Sequence, residues 1–424
     1  SETNTTSGVV FFSTTNSLEG NSNNTIVNND ITGVEANKRP VNAIYSKGTL
    51  GGENIGNTIK TNNIFNFLNQ NIASSGILLS ENTTAWTIEG NSLYETSPFT
   101  AASSSFYNGV KIDNISGNSF KVFDNHIGGR SSQSSGGAWT KTNATNNAFS
   151  AISLNVGTSG SSSVQNNTIK NFDWNNSAKY GWAGMEIIGG NVDVGTVSGN
   201  TIGSSTINDL IEISGGLSGL NVFGIRISST GTVICENNTV GSIKTSSNSG
   251  AALGSNIYGI YKTNTLGNVT IKNNTIGSAT VANNIYASSA STANNQIVNG
   301  IYNNGTGTIT IANNTIAHLT NGTTNTGTGS EGNVIGIRSV AGTLTVDTNT
   351  IHDLSNTTAN NKATDIASTV GISLTGVTNA KTIKGNTIYN LENANTSFTG
   401  SVIGIYYEGS LVGTNTVSEN FIHS

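Results

Sequence analysis

Few side chains in this 424-residue sequence are equipped for chemistry, so the places where they recur carry weight. His318 and Asp353 each lie four residues past an Asn of a repeated motif, Asn314 and Asn349. An imidazole beside a carboxylate can work as a general base. One such pair in a long repeat also serves as an exterior hydrogen bond, and it is read here as structural contact, with no catalytic residue assigned. The remaining His126, His352 and His423 are scattered. Lys111, Glu186 and Arg226 place two cations and a carboxylate at equivalent positions of three repeats, and Tyr261, Tyr302, Arg338 and Tyr406 continue the same line. Aromatic rings beside Arg and Glu suit carbohydrate, because rings pack on sugar C–H faces while the charged groups bond hydroxyls or carboxylates. No dense Asp cluster suggests calcium, no paired-Asp motif suggests glycoside hydrolysis, and no Cys/His spacing suggests zinc. Neither a cofactor nor a metal is expected.

These residues share one place in a phrase, "G-I-x". Its small residues are Gly8, Ala43, Gly76, Gly109, Ala151, Gly184, Gly224, Gly259, Gly300, Gly336, Gly371 and Gly404, each followed by an apolar residue from Val9 to Ile405. Strand alternation turns the next residue outward. The outward line then reads Tyr45, Leu78, Lys111, Ser153, Glu186, Arg226, Tyr261, Tyr302, Arg338, Ser373 and Tyr406.

A second phrase, "I-x-N-N-T-I", follows each time. Aligned on its second Asn it gives Asn24, Asn57, Asn91, Asn125, Asn167, Asn200, Asn238, Asn274, Asn314, Asn349, Asn386 and Asn420, spaced 33 to 42 residues apart. Two positions on, the residue is always aliphatic, as at Ile169, Ile276 and Ile388. Two columns kept in register over twelve repeats mark a solenoid. Between them, stretches such as Thr308-Ile309-Thr310-Ile311 alternate with period two and are β-branched, so the repeats are strands and not helices. Stacking them predicts an all-β, right-handed parallel β-helix of about twelve coils, a single domain over 1–424. Asn tolerates the positive φ of a tight corner, and stacked Asn side chains can bond from coil to coil as amide ladders. Long Ser/Thr/Asn/Gly-rich stretches at 131–147, 280–297, 320–333 and 355–369 are expected to project as loops at one corner. A further outward column is read as Thr87, Thr196, Thr270, Thr310, Thr345 and Thr382.

The corners and G-I-x strands resemble the parallel β-helix repeats of large secreted bacterial cell-surface proteins, some of them type IX secretion cargo. The resemblance runs along essentially the whole chain and implies architecture more than activity, because relatives of this shape include adhesins, lyases and glycosidases. It makes the expected function an adhesin-like structural rod, with polysaccharide along the Glu186, Arg226, Tyr261, Tyr302, Arg338 and Tyr406 line. The alternative it implies is a polysaccharide lyase, working through Lys111, Glu186 and Arg226, or a glycoside hydrolase on the same fold; an ice-binding solenoid is a third, for which the Thr ranks are too irregular.

Composition narrows the setting. Only 10% of residues are charged, net charge is −5, and 51 glycines stand against 2 prolines. No basic run offers a nucleic-acid footprint, no stretch reaches the ~18 apolar residues of a membrane helix, and the lone Cys235 has no partner for an internal disulfide. The uncharged, hydroxyl- and amide-rich make-up predicts an extracellular location. The chain starts at Ser1 without Met or a signal core, and neither end shows a capping segment. It is therefore expected to be a mature product or a piece of a longer chain, with further repeats or end-to-end association.

Overall fold

In a computed structural model the chain is described over residues 6–13, 19–177, 180–215, 220–246, 255–288, 296–322 and 332–423. It is a parallel β-solenoid. Two faces are twelve-stranded sheets in which each strand pairs with its counterpart one coil away. The first face carries the G-I-x strands, such as Tyr107–Asn114 and Asn256–Lys262. The second carries strands such as Ser161–Gln165 and Thr308–Ala312. The third is built from shorter pieces, for example Thr168–Ile169 followed by Phe172–Asn175.

The inward column of the first face, including Ile77, Val110, Ile152, Met185, Ile225, Ile260, Ile301 and Ile337, is fully buried. Each such side chain removed from water stabilises the rod by roughly 1.5–3 kcal/mol. The small residue before it is dictated by the neighbouring coil. A Cβ on Gly300 would stand 2.6 Å from the Gly336 carbonyl oxygen and 2.5 Å from Ile316 Cγ2. Among the earlier coils the core is aromatic: Trp139 stacks on Phe172 at 5.3 Å, and Phe149 packs on Trp174 at 5.0 Å. The indole N–H groups of Trp86 and Trp174 donate to the carbonyls of Asn54 and Asn147 at 2.8 and 3.0 Å, which offsets the cost of burying them.

One corner carries an amide ladder. Asn167 Nδ2 donates to Asn200 Oδ1 at 2.9 Å, and the pattern repeats through Asn238, Asn274, Asn314, Asn349 and Asn386 to Asn420. In the first two coils the ladder positions are Asn29 and Asn62, which lead to Asn91. Asn24 and Asn57, placed in this column by their motif, pair with each other at a different corner instead. Likewise Val10, and not Val9, is the register partner of Ile44. Nor does the ladder Asn itself take positive φ. The residue before it does, as at Asn166 (50°), Asn237 (59°), Asn273 (56°) and Asn313 (54°). The left-handed residue turns the chain, and the next one bonds across coils.

The long polar stretches are less loop-like than their composition. Segment 131–147 contains strand Trp139–Lys141, which pairs with Phe172–Asn175 on the third face and buries Trp139 completely. At its end the buried Lys141 ammonium donates to the carbonyls of Thr145 and Asn175 at 3.0 and 2.7 Å, while burial pushes its pKa down to about 7. Segment 355–369 tucks Asn356, Thr358 and Asn360 inside. Residues 289–295 and 323–331 of the other two stretches lie outside the described residues.

Candidate surface groove on the first face

Strand register sets the outward line of the first face residue by residue. Lys111 pairs with Ser153, Ser153 with Glu186, Glu186 with Arg226, Arg226 with Tyr261, Tyr261 with Tyr302, Tyr302 with Arg338, Arg338 with Ser373, and Ser373 with Tyr406. Within that line the side chains are already engaged with one another. Tyr261 lies between Phe223 (5.5 Å) and Tyr302 (5.2 Å) in near-parallel stacks, and Tyr258 adds a further ring at 5.1 Å. Arg338 covers Tyr302 at 5.2 Å and bonds Asp365 at 2.9 Å. The ring faces in this stretch point along the rod into neighbouring rings and present mainly edges to solvent. Burial raises the Tyr302 hydroxyl pKa, with the Arg338 charge working against it. Tyr406 stands further along, its hydroxyl 3.4 Å from Glu408 Oε1.

Concavity is found in the preceding coils. A groove of about 380 Å³ runs over the strands Tyr107–Asn114, Phe149–Val156, Tyr180–Gly189 and Asn221–Ile227, with Lys111, Ser150, Ser153, Glu186 and Arg226 among its lining. Its walls include Phe106 and Tyr180, 68% and 53% exposed. Tyr180, Phe223 and Arg226 also line a second concavity of about 210 Å³ that reaches Tyr258 and Tyr261. Arg226 Nη1 is 2.9 Å from Glu186 Oε1, and its guanidinium lies 5.3 Å from the Tyr180 ring centre. Ser150 Oγ donates to the other Glu186 oxygen. Lys111 Nζ sits 3.1 Å from Asp113 Oδ2, while Asp113 Oδ1 accepts from Asn155 at 2.9 Å. Burial alone would raise the Asp113 pKa; these two partners outweigh it and hold it below the usual carboxylate value.

His318 and Asp353 do meet on the third face, with Nε2 and Oδ2 3.7 Å apart beside a cavity of about 520 Å³. Asp353 is held from elsewhere, by His352 Nδ1 at 2.5 Å and Asn390 Nδ2 at 3.1 Å. Burial lowers the His318 pKa despite the nearby carboxylate. Among the described residues no group of three or more His, Cys, Asp or Glu is arranged to hold a metal ion.

The Thr column on the second face differs from the sequence alignment. Asp193 occupies the position given to Thr196, because that coil's corner carries extra residues before Asn200. Thr25 and Thr58 belong to the column at one end and Thr416 at the other. A longer unbroken Thr rank lies on the third face, from Thr168 through Thr201, Thr239, Thr275, Thr315 and Thr350 to Thr387.

Phe106, Tyr180, Phe223 and Tyr258 were missed from sequence. Phe223 and Tyr258 directly precede the Gly of their phrase and are register partners, so an aromatic-G-I triplet was the available signal. Phe106 and Tyr180 lie before the phrase in stretches without periodicity. Among the described residues no helix is long and apolar enough to cross a membrane. Compared with protein families, with curated proteins and with solved structures, the chain has no match.

Proposed function

We propose that this chain is a rigid extracellular rod of adhesin type that holds a polysaccharide in the groove along its first face. The supporting observation is a pair of adjoining concavities between Lys111 and Tyr261, which share Tyr180, Phe223 and Arg226 and together span five successive strands. At ~4.8 Å per strand that is roughly 20 Å of binding length, enough for several sugar units side by side. Exposed aromatic walls over a floor of hydroxyls, carboxylates and guanidinium match the amphipathic surface of a sugar chain. The extracellular setting rests on the low charge and the Ser/Thr/Asn-rich composition.

The test is direct binding. A panel of soluble polysaccharides in affinity electrophoresis should contain at least one that retards the rod, and Tyr180→Ala should weaken that ligand several-fold. A panel with no binder would reject the reading.

A lyase is the second reading, because Lys111, Glu186 and Arg226 all line the same groove. Lyase turnover of a uronate polymer leaves an unsaturated product that absorbs in the ultraviolet. Such a signal, lost in Lys111→Ala, would favour the enzyme over the rod.

A further inference from the structure

We infer that the polymer taken by this groove is uncharged: a neutral polysaccharide rather than a uronate-rich or sulfated one. This rests on the groove being a glycan site and adds the chemical class of its ligand.

The cations of the outward line are already paired. Three lie along the line, and each already has a carboxylate against it: Lys111 with Asp113 at 3.1 Å, Arg226 with Glu186 at 2.9 Å, and Arg338 with Asp365 at 2.9 Å. A groove built to hold anions leaves its cations free to face them. Here an incoming carboxylate or sulfate would meet a resident carboxylate within about one hydrogen-bond length of each of these three charges. It would have to displace that group or lie beside it, at a like-charge cost that grows as water is excluded. The displaced carboxylates are also anchored from their far sides, Glu186 by Ser150 and Asp113 by Asn155.

The same arrangement favours hydroxyls. Carboxylate oxygens still hold lone pairs that accept O–H donors, and a guanidinium has more N–H groups than one carboxylate uses. Ser153 and Asn108 on the floor offer neutral donors and acceptors. A neutral pyranose can therefore give O–H to Glu186, accept from Arg226, and lay its C–H face on the exposed ring of Phe106 or Tyr180. Because charge pairs cancel locally, binding should depend little on ionic strength.

Three neutral polymers (a mixed-linkage β-glucan, a galactomannan and a dextran) are compared with polygalacturonate, alginate and a sulfated glycan. Binding is titrated calorimetrically to the full chain at 20 and 500 mM NaCl. The expected result is at least one neutral binder, with affinity changing less than about two-fold between the salts and with every acidic polymer at least ten-fold weaker. Glu186→Gln should then raise the affinity for polygalacturonate at low salt several-fold, because it frees the Arg226 charge while keeping shape and hydrogen bonding. Thermal unfolding monitored on the same samples confirms that the variant is folded. A wild-type groove that binds an acidic polymer best, loses it with salt, and loses it again in Tyr180→Ala would overturn the neutral assignment and leave the groove intact. Absence of any binder would overturn both.

Discussion

Asn314 Nδ2 donates to Asn349 Oδ1 at 2.9 Å, and the backbone N–H of Asn314 donates to that same oxygen at 3.0 Å. One amide thus closes two bonds to the next coil, while its own oxygen accepts the equivalent pair from Asn274 at 3.0 Å each. Its Nδ2 also reaches the Ile271 carbonyl at 3.0 Å. Every polar atom of a buried side chain is used, which is what makes a polar column tolerable inside a rod.

Replacing Asn314 with Leu removes the acceptor shared by two Asn274 donors: Nδ2 keeps its bond to the Cys235 carbonyl at 2.9 Å, but the backbone N–H is stranded away from water. The expected loss is about 1–3 kcal/mol, read as a lower midpoint in urea with an unchanged slope. An unaltered midpoint would show that the ladder contributes nothing.

The residue before it follows another rule. Asn313 sits at φ 54° and its side chain faces solvent, bonding Thr348 Oγ1. Asn313→Gly should be neutral to within about 0.5 kcal/mol, because glycine takes this conformation freely. Asn313→Val should cost about 1–2 kcal/mol, since a β-branched residue is strained there. Equal effects of Gly and Val would mean that backbone strain does not govern the corner.

How much of this was readable beforehand differs from coil to coil. The outward line from Tyr45 to Tyr406 and the ladder from Asn91 onward follow from spacing alone, because one phrase fits each repeat. Coil one holds two overlapping copies, Asn23-Asn24-Thr25-Ile26 and Asn28-Asn29-Asp30-Ile31. The first copy matches the motif better, yet the second makes the ladder. Local chemistry is the same in both, and only pairing with Asn62 in the next coil decides. Thr196 failed for a related reason. Gln165 Oε1 accepts the N–H groups of Val197 and Ser198, allowing a longer corner that no motif announces. The groove was invisible for a third reason: its walls come from Phe106 and Tyr180, which no repeat places.

Cys235 gives a prediction in pH. It is fully buried on the second face, and burial pushes its pKa up to about 12 from an ordinary value of 9.0. The native thiol therefore stays protonated while the unfolded thiol ionises above its ordinary value. In that window the folded state holds more protons, so this group's contribution to stability is intact below pH 9 and falls as pH rises toward 12. Labelling by a thiol reagent at pH 8.5 should proceed no faster than global unfolding, and denaturant should release it. Rapid labelling of the native rod would contradict the burial.

The last prediction separates the aromatic stack from the groove. Tyr302 is packed between the Tyr261 ring and the Arg338 guanidinium, whereas Tyr180 is half exposed and touches Arg226 on one side. Stacking and cation–π contacts are each worth about 0.5–2 kcal/mol. Tyr302→Ala forfeits both inside the protein, so the loss should appear as a lower melting temperature with polysaccharide affinity changed less than about two-fold. Tyr180→Ala removes a wall the ligand meets and one exposed contact to Arg226, so affinity should fall several-fold while the melting temperature falls less than in Tyr302→Ala. The sequence alone points the other way, with Tyr302 as the binding residue, because outward position was all it could weigh. What it lacks is ring orientation: once Tyr261 and Tyr302 face each other, the apolar surface of a sugar has no open ring face between them. An affinity loss in Tyr302→Ala as large as that in Tyr180→Ala, at equal stability, would return the binding site to the stack.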